Sequence, residues 1–289
     1  MVVEMAVPAL PACRQVAIGK KDVIFVIVMQ SLSVVIICKN EAGIIGQTLQ
    51  SLEGLCDDII VYDNGSTDNT IELVKKFNVQ LHAGTWEGFG KTKNKAIALA
   101  KHDWILSLDA DEAVDETLKS SLLALQLSDE KVVYELKYKN FLGKKHLRYG
   151  EWGSDKHIRL FNRKTVSWDD AAVHEELVIP EFKKIMKLKG YVLHHTMADI
   201  NDYASKMVRY AMLNAEKYHR LRIKSSFFKI RVAPGLTFFN YFILKLGFLD
   251  GYAGYVCARM TSWYTFLKYA RLRELWNIEQ MNKEQGTSK

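Results

Sequence analysis

Trp104-Ile105-Leu106-Ser107-Leu108-Asp109-Ala110-Asp111-Glu112 decides how the chain is read. A short apolar run ends in three acids. The run reads as a buried strand, which puts the acids at its carboxyl end. That edge of an open α/β sheet is where ligands bind. Asp109 and Asp111 flank one small residue, so both carboxylates reach one spot. Paired carboxylates without a nearby thiol suit a hard divalent cation, Mg²⁺ or Mn²⁺. Equally, the acids could cap a helix starting near Val114, which would also account for Asp115 and Glu116.

What lies upstream weighs on that choice. Ser33–Cys38 is a continuous apolar run, the pattern of a strand covered on both faces. The polar loop Lys39-Asn40-Glu41-Ala42-Gly43 follows, then a helix with Ile44, Ile45, Leu49, Leu52 and Leu55 on one side. Ile59–Tyr62 is a second strand. It leads into Asp63-Asn64-Gly65-Ser66-Thr67-Asp68 and a helix carrying Ile71, Leu73, Val74 and Phe77. Val79–His82, a glycine-rich loop from Gly84 to Gly90 and a helix from about Thr92 to Ala100 lead back to Trp104. This β-α-β-α-β-α-β order predicts a mainly parallel sheet with right-handed crossovers. Three polar loops then fall on one edge, which is harder to explain as capping than one loop alone.

The second half is less regular. An amphipathic helix is expected over Leu118–Leu127, and strands over Val132–Phe141, His157–Phe161 and Lys189–His195. Helices follow over Tyr203–Leu221 and from Gly254 to about Asn277. Between them Phe227–Leu249 is aromatic and apolar, broken by Pro234, Gly235 and Lys245. His194 and His195 are adjacent on a strand and face opposite ways, so at most one reaches a site. Glu175 and Glu176 read as solvated, and Trp152 as core or a sugar-stacking ring.

Composition bounds the rest. The 289 residues are 48% hydrophobic and 25% charged, as in an ordinary globular protein. The four cysteines lack metal-type spacing; Cys38 and Cys56 read as small core residues of a reducing compartment. Net charge is +7, but residues 201–289 hold 15 Lys/Arg against 6 Asp/Glu, which is +9 and leaves −2 for residues 1–200. Such a tail suits nucleic acid, anionic lipid or a phosphorylated acceptor, or is a solvated helix face. Residues 1–28 show no clear period. Val23–Val28 falls far short of the roughly 20 residues of a spanning helix. This stretch is expected to be a leader or a loosely attached arm, before a catalytic domain over 29–200 and a basic, aromatic helical region over 201–289.

Val35-Ile36-Ile37-Cys38-Lys39-Asn40-Glu41, then Tyr62–Thr70, then Leu108-Asp109-Ala110-Asp111-Glu112 resemble, in order, the motifs of the family-2 inverting glycosyltransferases. Asp169-Asp170 followed by Val173-His174-Glu175, with Gly247-Phe248-Leu249-Asp250-Gly251, is similar to the lipopolysaccharide-core β-1,4-glucosyltransferase branch. The resemblance spans about residues 31–275. It implies a GT-A fold, a UDP-sugar donor (the glucose form) and a divalent cation; the C-terminal region, aromatic and flanked by Arg222, Lys224, Lys229 and Arg231, reads from its own residues as a membrane-associating extension. By position, Lys39, Asn40 and Glu41 would line the nucleotide. Asp63 would face the uracil or ribose, and Asp109 the ribose. Asp111 would hold the metal, His174 would add a metal or phosphate contact, and Lys93 would meet phosphate. The implied acceptor is a lipid-linked saccharide, the implied location the cytoplasmic side of the inner membrane, and nucleic acid is not an expected partner.

The chemistry is consistent with this. Sugar transfer leaves an anionic diphosphate, which a metal stabilises, and needs a carboxylate to take the acceptor proton. In an inverting transfer that base lies opposite the leaving group, hence outside the Asp109–Asp111 loop. Asp155 is the first candidate and Asp170 the second. Two other readings compete. A nucleotidylyltransferase would place a Gly-rich basic loop directly after the first strand, and Lys39-Asn40-Glu41 is not one. A nucleotide-sugar-binding or membrane-scaffold protein without catalysis would not need the Asp109/Asp111 pair.

Overall fold

The computed structural model describes residues 13–17, 23–27, 30–170, 175–181 and 183–286. β1 (Cys13–Ala17) and β2 (Val23–Ile27) form an antiparallel pair of their own. The chain then divides into two compact units. One holds the residues up to Tyr138 together with Lys156–His194; the other holds Lys139–Asp155 and His195 onward.

The first unit starts with β3 (Gln30–Cys38), α1 (Ile45–Ser51), β4 (Cys56–Asp63), α2 (Thr70–Val74), β5 (Gln80–Ala83), α3 (Phe89–Ala98) and β6 (Trp104–Asp109). β5, β4, β3 and β6 lie side by side in that order and all pair in parallel, as the alternating β and α segments predict. Alternate residues of β3 serve two cores. Val34, Ile36 and Cys38 join one hydrophobic cluster, and Val35 and Ile37 the other. This is why the run is apolar without interruption.

Past β6 the structure departs from the expected helix. Glu112–Val114 is a short strand, β7, and α4 starts only at Glu116 and ends at Leu123. Asp115 is the N-cap, its carboxylate accepting from the Leu118 N–H at 2.8 Å. Capping therefore explains Asp115, not Asp109 or Asp111. β8 (Val132–Leu142), β9 (Lys145–Leu147), β10 (Lys156–Asn162), β11 (Ser167–Trp168), β12 (Leu177–Val178) and β13 (Lys184–Met197) complete the strands. The sheet runs β5-β4-β3-β6-β10-β8-β13-β7, and β10 joins the parallel half antiparallel to β6. β13 begins five residues before the expected Lys189.

The second unit contains α5 (Ile200–Arg220), α6 (Phe227–Arg231), α7 (Ala233–Phe239) and the 35-residue α8 (Tyr252–Gly286). Pro234, read as a breaker, instead starts α7, where its missing N–H costs nothing. Asn240–Leu244 forms a π-helical turn and Gly247–Asp250 a 3₁₀ turn. The Gly247–Gly251 motif has a structural cause. A Cβ on Gly247 would sit 2.6 Å from the Tyr241 carbonyl oxygen, and Gly251 has φ +63°. The buried Asp250 accepts from the Arg148 and Tyr149 N–H groups at 2.7 and 2.8 Å. Trp152 packs partly buried on the core of this unit, around Leu147, Met197 and Tyr203, and its Nε1 lies 3.4 Å from the Tyr203 hydroxyl. Among the described residues no helix is long and apolar enough to cross a membrane.

Candidate active site

Strand register assembles the site. Ile37 of β3 pairs with Asp109 of β6, and Cys38 pairs with Asp63 of β4. The three polar loops therefore leave the sheet at one level of its carboxyl edge. The loops also bind each other. The Asn40 side-chain oxygen accepts from the Thr67 N–H at 2.8 Å, and the Asn40 N–H donates to the Ser66 hydroxyl at 2.9 Å. Asn40 has φ +58°, a left-handed conformation that asparagine tolerates better than most residues. The Glu41 N–H donates to the Thr70 hydroxyl at 2.8 Å, and Lys39 is exposed.

Asp63 is buried, and one carboxylate oxygen accepts from the Gly65 and Ser66 N–H groups at 3.0 Å each. The other takes the Ser66 hydroxyl. The carboxylate thus shapes its own loop. Nearby, burial and the Asp63 charge push the Cys38 thiol far above its ordinary range, so Cys38 is an inert core residue.

The Asp109–Asp111 turn is held from below. The buried Ala110 offers its carbonyl to the Thr48 hydroxyl at 2.7 Å, and the Asp109 N–H donates to Glu112 at 3.0 Å. Asp109 and Asp111 consequently diverge in environment. Asp109 lies 3.0 Å from the Lys93 ammonium and 3.4 Å from the Arg159 guanidinium. Burial alone would raise its carboxyl, but the charges of Lys93 and Arg159 outweigh burial and hold it well below the usual range. Asp111 lies 3.6 Å from His194 Nε2. Burial disfavours the His194 imidazolium, yet Asp111, Glu112 and Asp109 push its pKa up to about 9. His195 lies in the other unit and stacks on Phe141, with ring centroids 4.9 Å apart. Only one histidine of the pair reaches the acids, as strand alternation requires.

Arg159, Trp168 and Asn94 were not singled out in the sequence, and Glu112 and Glu175 take roles it did not assign. Arg159, on β10, bridges Glu112 at 3.2 Å and Asp109, and donates from Nε to the Tyr138 hydroxyl at 2.9 Å. Glu112 is 1% exposed and serves as the buried counter-charge. Glu175, expected to be solvated, lies 2.8 Å from Lys93. Lys93 itself is buried between Asp109 and Glu175, with its ammonium 4.5 Å from the Trp168 ring centroid. Trp168 is set by Asn94, whose side chain exchanges two hydrogen bonds with the Trp168 backbone at 2.8 and 3.0 Å. A single arginine within a β-strand carries no spacing signal. Asn94, one residue after Lys93, was the available clue.

The candidate bases are placed differently. Asp155 belongs to the second unit and accepts from the buried Asn140 amide at 3.2 Å. Asp170 is exposed, just past β11. His174 lies outside the described residues. Among the described residues no group of three or more His, Cys, Asp or Glu forms a metal cage. The donors nevertheless fit Mg²⁺ or Mn²⁺. Asp111 offers a carboxylate oxygen at the carboxyl edge of the sheet, and Mg²⁺ is commonly held by one or two carboxylates plus substrate phosphates.

The family model described as glycosyl transferase family 2 matches residues 33–178, about half of the chain and all three edge loops. The chain belongs to glycosyltransferase family 2. As a member it is a transferase, and its matched segment runs from β3 to β12, so α5 to α8 lie beyond it. An uncharacterized glycosyltransferase of Rickettsia typhi is 28% identical over 258 residues, 86% of this chain and 88% of that protein. The lipopolysaccharide core biosynthesis glycosyltransferase LpsC of Rhizobium meliloti is 26% identical over 251 residues, 83% of this chain and 91% of that protein. The crystal structure of S. aureus TarS 1-349 aligns with a TM-score of 0.41 at 17% identity, over 82% of this chain and 90% of that one.

Proposed function

We propose that this family-2 glycosyltransferase moves a sugar, glucose first among the choices, from a UDP-sugar to a lipid-linked saccharide such as lipopolysaccharide core. Transfer is with inversion, supported by a divalent cation, at the cytoplasmic face of the inner membrane. The observation that carries this reading is the level register of Asp63 and Asp109 beside the Lys39–Glu41 loop, with Asp111 two residues beyond Asp109 on the same turn. The similarity to LpsC favours the acceptor class. Lys39, Asn40, Glu41 and Asp63 line the nucleotide, and Asp109 takes the ribose. Lys93 acts on the donor through Asp109, because its ammonium is already engaged.

The acceptor hydroxyl oxygen forms the new bond to the anomeric carbon. The bond from that carbon to the diphosphate oxygen breaks, and UDP leaves with the electron pair. The proton passes to a carboxylate, Asp155 or Asp170. Asp111, with His174 as a further contact, would hold a divalent cation, which would supply charge stabilisation to the leaving diphosphate.

UDP release is measured with UDP-glucose, other nucleotide sugars and truncated lipopolysaccharide core in the presence of Mg²⁺ or Mn²⁺. The reading requires acceptor-dependent UDP release. Release only from guanosine or thymidine sugars, or transfer of a nucleotidyl group, would defeat it. Asp155→Asn and Asp170→Asn assign the base: the true one loses about 10²-fold or more in kcat with donor binding retained, and the other is silent.

A further inference from the structure

Within the second unit, α5, α6, α7 and α8 line an open cavity of about 800 Å³. That is ample for an organic ligand, since ligand sites run roughly 300–1,000 Å³. Its wall is built from Ala204, Pro234, Val256 and Met260, with the exposed Tyr252 and Trp263 also lining it. The Ser262 hydroxyl, also in the wall, is consumed by the Pro234 carbonyl at 2.8 Å. A nucleoside or sugar would find few hydrogen-bond partners there, whereas a hydrocarbon chain needs none.

Two cations line the same cavity. The Arg231 guanidinium stacks over Phe227 at 5.3 Å, and that of Arg259 over Phe238 at 5.5 Å. Among the described residues neither forms an ion pair. Buried or stacked arginines without a carboxylate are open to an external anion. Charge also decides between occupants. A second copy would bring another region carrying +9 against this one, which opposes association.

We propose that this cavity holds one acyl chain of an anionic lipid, with the headgroup phosphate against Arg231 and Arg259. The proposal deepens the membrane part of the proposed function and rests on it alone. It uses no donor sugar, so its failure would leave the transfer reaction standing.

The test titrates the full chain, without nucleotide sugar, with lysophosphatidylglycerol below its micelle concentration. Lysophosphatidylcholine and glycerol phosphate serve as comparisons. Saturable binding is expected, about tenfold weaker for lysophosphatidylcholine and undetectable for glycerol phosphate. Arg231→Gln with Arg259→Gln should bring the two lysolipids level, and Met260→Trp should abolish both by filling the cavity. Should Met260→Trp not fold, location is read in the wild type. A brominated acyl chain quenches tryptophan fluorescence, and Trp263→Phe removes most of that quenching. Equal binding of the two lysolipids by the wild type, quenching unchanged in Trp263→Phe, or competition by glycerol phosphate would overturn the proposal. So would a dimer that Met260→Trp breaks and lysolipid does not.

Discussion

The two units use some of their cations differently. In the first, the site's cations are spent on its own acids: Lys93 between Asp109 and Glu175, Arg159 between Glu112 and Asp109. In the second, Arg231 and Arg259 rest on aromatic rings, and large apolar side chains stay exposed: Phe227 at 66%, Leu244 at 65%, Tyr252 at 74%. A pre-paired buried network fixes geometry before the substrate arrives, which is what charge stabilisation in a transition state requires. Exposed apolar surface beside unpaired cations is what an interfacial segment needs. The proposed function places chemistry in the first unit and surface attachment in the second.

The largest expected effect tests the first half of that contrast. Asp111→Asn should lower transfer about 10³-fold, on the order of 4 kcal/mol, because an amide is a poor ligand for a hard cation. The melting temperature should hardly change. Wild-type turnover of this variant in metal-buffered assays would remove Asp111 from the cation. Adding excess chelator to the wild type should produce a comparable loss.

Next is the paired network itself. Arg159→Met keeps the apolar stem but leaves Glu112 without its counter-charge. Urea unfolding should show a loss of about 3 kcal/mol, the cost of stranding a buried charge. A change within about 0.5 kcal/mol, as for an ordinary surface substitution, would mean the network does not hold the turn.

The second unit gives a smaller, salt-dependent effect. Flotation with anionic vesicles should show binding by the wild type. Neutralising Lys224, Lys229 and Arg231 together should weaken it by about 1 kcal/mol per charge at low salt. Transfer to a soluble acceptor fragment should persist. Identical flotation of wild type and triple variant would erase the distinction between the units.

The smallest effect concerns Glu151. Burial raises its carboxyl pKa, opposed by the hydrogen bond from Thr261. The folded state therefore binds this proton more tightly than the unfolded chain. The stability it contributes is complete below the ordinary value of 4.5 and is lost as pH rises through the raised folded value. Glu151→Gln should flatten that part of the stability-pH curve; an unchanged slope would show the carboxyl to be solvated.

Much of the parallel half was legible because its signals are local. Continuous apolar runs at Ser33–Cys38 and Trp104–Leu108 require burial on both faces, and the acids that end them mark the carboxyl edge. The helix expected near Val114 starts two residues later, at Glu116, for a non-local reason. Ala113 and Val114 instead pair with Leu193 and Val192 of β13, some eighty residues away.

Sequence by itself determined the alternation of β and α segments, the edge that carries Asp63, Asp109 and Asp111, and the concentration of positive charge after residue 200. It also determined that at most one of His194 and His195 could reach a site, since strand geometry alternates side chains. Tertiary structure decided which charges neutralise which. Lys93, Arg159 and Glu175 come from a helix, a strand and a loop far apart in the chain, and their partners follow from packing at distances of about 3 Å. Ion pairing over such separations leaves no periodic trace in a sequence, because it depends on where whole elements stack and not on spacing within any one of them.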